Sequence, residues 1–191
     1  MELTPVILDI ETTGLDPFSD RIVAIGVQRG EDVRVFINKN ELRVIWDFFE
    51  FLTAVHKPLE TQVLVGYNIH NFDLPFITTR AIKHGLTVDA GYLRKMYRAD
   101  LMTIVTRYLN TRNRNLSLKT IAEFLGIRVN DAISGSDIPV LWEKGDFDAI
   151  AQHCLSDIYL TQQLLKRLKY LVEHNIERRY EIESVSLGVD A

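Results

Sequence analysis

Apolar residues, many of them β-branched, crowd three short runs near the start of the chain: Val6–Ile10, Arg21–Gln28 and Val33–Ile37. Turn formers separate them, Gly14-Leu15-Asp16-Pro17 after the first and Gly30-Glu31-Asp32 after the second, so three strands are predicted. From Asn40 to about Val55 the period changes. Ile45, Phe48, Phe49 and Leu52 recur at three and four, which predicts a helix that buries Trp46 and the Phe cluster. Thr61–Gly66 predicts a fourth strand, and a helix from near Asn71 to Lys83 follows, with Gly85 as its stop.

Beyond this point the pattern is helical. Leu101–Leu109 is one segment, and Ser117–Phe124 is a second, capped by Ser117 and closed by Gly126. A long helix is predicted from an Asp146 N-cap to Arg178 or Arg179, with Leu155, Ile158, Leu164, Leu165 and Leu168 as its buried stripe. The closing "SVSLGVDA" predicts a frayed tail, which makes residues 1–180 a single domain and 181–191 a C-terminal tail. Strands, a helix, a strand and then helices suit an α/β fold, a mixed sheet with helices packed on it.

Composition supports this picture. Hydrophobic residues make up 47% of 191, enough for a substantial core without disulfides. Cys154 is the only cysteine, which excludes an intrachain disulfide and suits a reducing, cytoplasmic setting. No basic segment leads into an apolar run at the N-terminus, and no run is long enough to span a membrane, so a soluble protein without membrane attachment is expected. The net charge of −4 argues against a nucleic-acid partner. Its distribution argues otherwise. Between Arg94 and Lys119 stand Arg94, Lys95, Arg98, Arg107, Arg112, Arg114 and Lys119, against the single acid Asp100. Such a run is a solvated face or a phosphate track.

The chemistry begins at "PVILDIETTGLDP", where Asp9 and Glu11 lie two residues apart on the first strand and project from one face. Like charges so close repel, and each raises the pKa of the other. A second segment, "VGYNIHNFDLPF", places Asp73 at the start of a helix just past a strand, with Asn68 and Phe72 at fixed offsets. A third segment, "IAQHCLSDIYLTQQLL", places Asp157 on an amphipathic helix with His153 four residues before it on the same face. Asp157 is flanked by Leu155, Ile158 and Leu160, a costly setting unless it is paired or bound to a cation. If the four acids meet, a divalent cation resolves their repulsion, and hard oxygen ligands select Mg²⁺ or Mn²⁺. Cys154 reads as a small buried hydrophobe. His56, His84 and His174 have no partner that the sequence identifies.

Taken together, "DIETTGLDP", "NIHNFD" and "HCLSD" resemble the DEDD superfamily of 3′–5′ exonucleases, whose fold is ribonuclease H-like. The match runs from Asp9 to Asp157 in the superfamily's motif order. "HCLSDIYLTQQLL" is most similar to the proofreading domains of family-B DNA polymerases, as are "ADLMTIV", "SLKTIAEFLGI" and "GDFDAIAQHCLSD". One position departs. His153 stands where that branch carries Tyr, and the branch that uses His carries it at the position of Gln152.

The resemblance implies a stand-alone exonuclease that hydrolyses single-stranded nucleic acid, DNA favoured, from its 3′ end to nucleoside 5′-monophosphates. It implies two Mg²⁺ or Mn²⁺ ions, with Asp9 bridging both, Glu11 and Asp157 on the ion that binds the attacking water, and Asp73 on the second. His153 would orient or deprotonate the nucleophile. The Thr12 backbone and Leu15 would meet the terminal nucleotide, with Asn68 and Phe72 positioning it or its neighbour. Arg112 and Arg114, in the basic run, would bind phosphates of the incoming strand. The same residues also fit a non-catalytic nucleic-acid-binding relative, or an endonuclease or ribonuclease of the same fold.

Overall fold

Strand β1 (Leu3–Thr12) organises the molecule through its alternation. The computed structural model describes residues 3–55, 61–109 and 116–186. Val6, Leu8 and Ile10 enter one apolar layer and Ile7 the opposite one, so Asp9 and Glu11 share the Ile7 face. Strands β2 (Ile22–Arg29) and β3 (Asp32–Ile37) continue antiparallel from β1. Helix α1 (Glu41–Ala54) then leads to β4 (Thr61–Gly66), which pairs parallel to β1 on its other edge. After α2 (Asp73–Lys83) and α3 (Thr87–Lys95), the short β5 (Tyr97–Asp100) completes the order β3-β2-β1-β4-β5. Helices α4 (Leu101–Tyr108) and α5 (Leu118–Phe124), a 3₁₀ turn at Gly135–Asp137, α6 (Ile138–Lys144) and the 40-residue α7 (Phe147–Ser186) follow.

The helices cover both faces. Phe48 and Leu52 of α1 and Phe76 and Ile77 of α2 pack on Val6, Leu8 and Ile25. On the opposite face, α4, α5 and α7 pack on Ile7, Val63 and Val65 through Leu101, Ile121, Ile158 and Leu164. The two layers give the sheet an interior on each side, which is why Val63, Leu64 and Val65 of β4 are apolar in succession and all buried.

Several expectations change. Elements α3, β5 and α6 have no counterpart in the sequence pattern. They are short, and "YRAD" of β5 lacks the apolar run that marks a strand. Trp46 is 51% exposed rather than buried, because the inward rows of α1 are already filled by Val44, Ile45, Phe48 and Phe49. Leu155 is 41% exposed. The inward stripe of α7 keeps the expected Ile158, Leu164 and Leu168, with Leu165 partly buried, and adds Ile150, Cys154, Thr161 and Val172. That helix runs on to Ser186, past the end its periodicity predicts at Arg178 or Arg179.

Two polar groups also find partners the sequence leaves unassigned. His84 Nε2 lies 2.7 Å from Glu41, which accepts from Arg80 Nε at 2.8 Å and from the Ile22 backbone N–H at 2.7 Å. Lys119, assigned above to the basic run, points inward and donates to Asp131 at 3.0 Å. Arg112, Arg114 and His56 lie outside the described residues. No helix among the described residues is long and apolar enough to cross a membrane.

Candidate metal centre

Pairing between β1 and β4 ends at Ile7 and Val65, so β1 continues past its neighbour. The Ile10 N–H there would be left without a strand partner. It donates instead to Asp73 Oδ1 at 3.2 Å. This brings the first residue of α2, a helix packed on the opposite face, around the strand end to the side of Asp9 and Glu11. Asp73 is buried and sits in the first turn, where the helix dipole favours an anion.

Helix α7 closes the cluster from above. Asp9, Glu11 and Cys154 each offer a donor atom within 4.8 Å of the others, and so do Asp131, His153 and Asp157. His153 Nε2 lies 3.7 Å from Glu11 Oε1 and so joins the two groups. Residues from three separated segments, Asp9 and Glu11, Asp73, and His153 with Asp157, therefore converge as the sequence expects. Lys119 adds a cation at the edge, through Asp131.

The electrostatics follow from the crowding. Burial first, then the charges of Glu11, Asp157 and Asp73, raise the Asp9 carboxyl well above the ordinary carboxylate range. Burial and the charges of Asp157, Asp73 and Asp131 do the same to Glu11. Burial pushes Asp73 up to about 7 against the pull of its backbone hydrogen bonds, with Asp100 and Asp157 adding to the rise. Asp157 is also raised by burial, although His153 and Lys119 favour its charged form. Burial, then the charges of Asp9, Glu11 and Asp157, push the Cys154 thiol well up, which keeps it protonated beside these acids.

Whether these residues fit a cation is decided by their oxygens. Asp9 Oδ2 and Asp157 Oδ1 are shielded from solvent and have no hydrogen-bond partner among the described residues. Buried polar atoms are normally satisfied, and two orphaned carboxylate oxygens in one acidic cluster are what a bound cation would satisfy. Apart from the protonated Cys154 thiol and the His153 ring nitrogen, the donors are carboxylate oxygens, a set that suits a hard divalent ion.

The residues expected at the substrate lie in the segments that follow β1 and β4. Thr12 sits where the β1 register shifts, with its hydroxyl donating to the Gly14 carbonyl at 2.6 Å. Leu15 is 83% exposed on the loop that follows. Asn68 adopts a left-handed φ of 66°, a conformation Asn tolerates better than most residues. Its N–H donates to Asp100 Oδ1 at 2.9 Å, and the His70 N–H donates to Asp100 Oδ2 at 3.1 Å. Phe72 packs on Phe76, with ring centroids 5.5 Å apart.

Two participants escape a reading of the sequence. Asp100 caps α4 through the Met102 N–H at 3.0 Å while holding the Asn68 turn. An Asp immediately before the apolar run "LMTIV" is a cap signal that could have found it. Asp131 lies in an irregular segment with no periodicity, and its Oδ2 stands 2.5 Å from His153 Nδ1. No local signal marks it.

Comparison with known proteins agrees with this fold. A model of the RNase_H superfamily matches residues 6–177. An uncharacterized protein of Methanocaldococcus jannaschii is 35% identical over 175 residues, covering 87% of this chain and 96% of that protein. A DNA polymerase of Archaeoglobus fulgidus is 25% identical over 167 residues, 80% of this chain and 21% of the polymerase. The solved structure of the family B DNA polymerase from the hyperthermophilic archaeon Pyrobaculum calidifontis superposes with a TM-score of 0.71 at 23% identity, over 88% of this chain and 25% of that one. The chain thus spans a fifth to a quarter of these two polymerases. The family-B resemblance carried by the motifs and the ribonuclease H-like fold are both met.

Proposed function

We propose that this chain, which belongs to the RNase_H superfamily, is a 3′–5′ exonuclease acting on single-stranded nucleic acid, DNA favoured, and releasing nucleoside 5′-monophosphates. One observation carries the reading: Asp9, Glu11, Asp73 and Asp157 converge from three segments and leave two buried carboxylate oxygens without a partner among the described residues. Asp9, Glu11 and Asp157, with Asp73 beside them, would hold two Mg²⁺ or Mn²⁺ ions. When bound, such ions activate water for attack on phosphorus and stabilise the leaving oxygen.

The chain's own groups do the rest. His153 presents Nε2 toward Glu11, where it orients the attacking water and accepts its proton. Leu15 offers an apolar surface to the terminal base, and the loop behind it is fixed by the bond from Arg80 Nη1 to the Pro17 carbonyl at 3.2 Å. Asn68 and Phe72, held by Asp100 and Phe76, position the terminal or penultimate nucleotide. A shallow groove lined by Asn68, Asn71, Met102, Thr103, Thr106 and Arg107 leads away from this point and suits a strand backbone. Arg112 and Arg114, outside the described residues, would add salt-dependent affinity for the strand. A terminal base must leave any duplex to reach a buried cluster, which favours single strands.

An end-labelled single strand incubated with Mg²⁺ or Mn²⁺ tests the reading. Stepwise shortening from the 3′ end to mononucleotides is the expected result. Internal cuts would replace it with an endonuclease, and binding without cleavage with a non-catalytic module.

A further inference from the structure

We infer that Asp131 is the positioning residue for His153, fixing the imidazole in the tautomer that carries its proton on Nδ1 and turns a bare Nε2 toward the acid cluster. The consequence for turnover rests on the exonuclease reading. The tautomer itself does not.

The geometry is specific. His153 is buried, and its ring lies between two carboxylates, with Nδ1 2.5 Å from Asp131 Oδ2 and Nε2 3.7 Å from Glu11 Oε1. Asp131 is itself held. Its Oδ1 accepts from the Ile133 N–H at 3.0 Å, and its Oδ2 also accepts from Lys119 Nζ at 3.0 Å. Lys119 bonds the Asp131 and Ile133 backbone carbonyls as well, so the whole segment is pinned to α5. Burial works against the Asp131 charge, but the bonds from His153, Lys119 and Ile133 outweigh it and keep the carboxyl below the ordinary range. An ionised carboxylate can only accept. The proton in the Nδ1 contact therefore belongs to the ring, and in a neutral imidazole Nε2 is left as the lone-pair atom. The other charged groups near the ring are Asp157 on its own helix, Lys119 on α5 and Asp137 on the 3₁₀ turn.

This also gives the departure at position 153 a physical sense. A tyrosine offers one polar atom and needs no second anchor. A histidine offers two, on opposite sides of a ring that can flip, and works as an acceptor only if something chooses between them. Asp131 makes that choice. It comes from a loop with no counterpart in the motifs, 22 residues before the ring it orients. The competing use of the same residues is a metal site of Asp131, His153 and Asp157, in which Nδ1 would lose its proton to become a ligand.

Nitrogen NMR on protein labelled with ¹⁵N-histidine, metal-free and at a pH where the ring is neutral, distinguishes the two. The expected spectrum of His153 has Nδ1 in the protonated range and Nε2 in the unprotonated range, unchanged by Mg²⁺ at Nδ1. Asp131→Ala should shift the ring toward Nε2–H, the tautomer favoured by free histidine. Asp131→Asn keeps an acceptor oxygen for Nδ1 and should restore the original form. In the nuclease assay Asp131→Ala should lower kcat roughly 10- to 100-fold with little change in KM, and Asp131→Asn should recover most of it. A wild-type spectrum with Nε2 protonated overturns the inference without any variant. So does a spectrum that Asp131→Ala leaves unchanged, or a Nδ1 that loses its proton when Mg²⁺ is added, which would favour the metal site. If no nucleolytic activity is found at all, the spectra still decide the tautomer.

Discussion

Gly26 stands directly across from Asp9 in the antiparallel pair of β1 and β2, and a Cβ built on it would lie 2.5 Å from Cys154 Sγ and 3.0 Å from Ile158 Cγ1 on α7. The missing side chain is what lets α7 descend onto the strands until Asp157 reaches the cluster. Gly26→Ala should push the helix outward, destabilise the protein by about 1–3 kcal/mol as overpacking does, and weaken Mn²⁺ binding. Adding Cys154→Ala removes the closer of the two clashing atoms and should restore part of both. Calorimetric Mn²⁺ titration of the single and double variants checks this, and unchanged affinity in Gly26→Ala would mean the approach of α7 is not limiting.

Replacing Asp9 by Asn should separate activity from stability. The change keeps the shape and removes one of the charges that Glu11, Asp73 and Asp157 oppose. Cleavage should fall by more than about 10²-fold, beyond what losing a supporting group costs. The metal-free protein should melt higher, by about 2–4 °C for each kcal/mol of repulsion relieved. Substantial turnover at saturating Mn²⁺ would remove Asp9 from the metal assignment.

The pH dependence of the metal-free fold has a definite sign. Asp73, pushed up to about 7, keeps a proton in the folded state that the unfolded chain releases near pH 4, and burial holds Asp9 and Glu11 high in the same sense. The folded state thus binds more protons across this window, so its stability is full below about pH 4 and is lost as pH rises through 7. Carboxylates with lowered values, Asp131 and Glu41 among them, are already ionised there and contribute no slope. Melting temperatures in chelator should fall between pH 5 and 8, and the increment from added Mg²⁺ or Mn²⁺ should grow over the same range. A metal increment that is flat with pH would contradict the site.

The buried ion pair of Glu41 and Arg80 ties α1, α2 and the loop of Leu15 together. Arg80 Nη2 lies 2.6 Å from Glu41 Oε2, and both side chains are almost wholly buried. Arg80→Met removes the guanidinium from a buried carboxylate, leaves it only His84 and the Ile22 N–H, and should cost about 3–5 kcal/mol in denaturant unfolding. It also frees the Pro17 carbonyl, so KM should rise more than kcat falls. Combining it with Glu41→Gln removes that buried charge while keeping an acceptor for the Ile22 N–H, and should recover part of the loss. No recovery in the double variant would place the cost elsewhere.

The amino-acid order alone determined much of this protein. Short β-branched apolar runs between turn formers set β1, β2 and β3, period 3.6 set α1, α2 and α7, and both signals are local because they depend only on neighbouring residues. Asp9 and Glu11 were bound to share a face once β1 was a strand, and Asp157 to follow His153 on one side of α7. What the sequence left open depended on contacts between distant segments. Whether α7 lies close enough for Asp157 to join Asp9 turns on the space above Gly26, and the reach of Asp73 turns on where β4 stops beside β1. The short elements α3, β5 and α6 are held by the layers around them rather than by their own pattern, so they were invisible. Trp46 and Leu155 were misplaced because a helical stripe is wider than the neighbour that covers it. Asp131 was beyond reach of any local rule. It matters only because the fold carries an irregular loop to the far side of His153, and a hydrogen bond across 22 residues is a property of the tertiary structure.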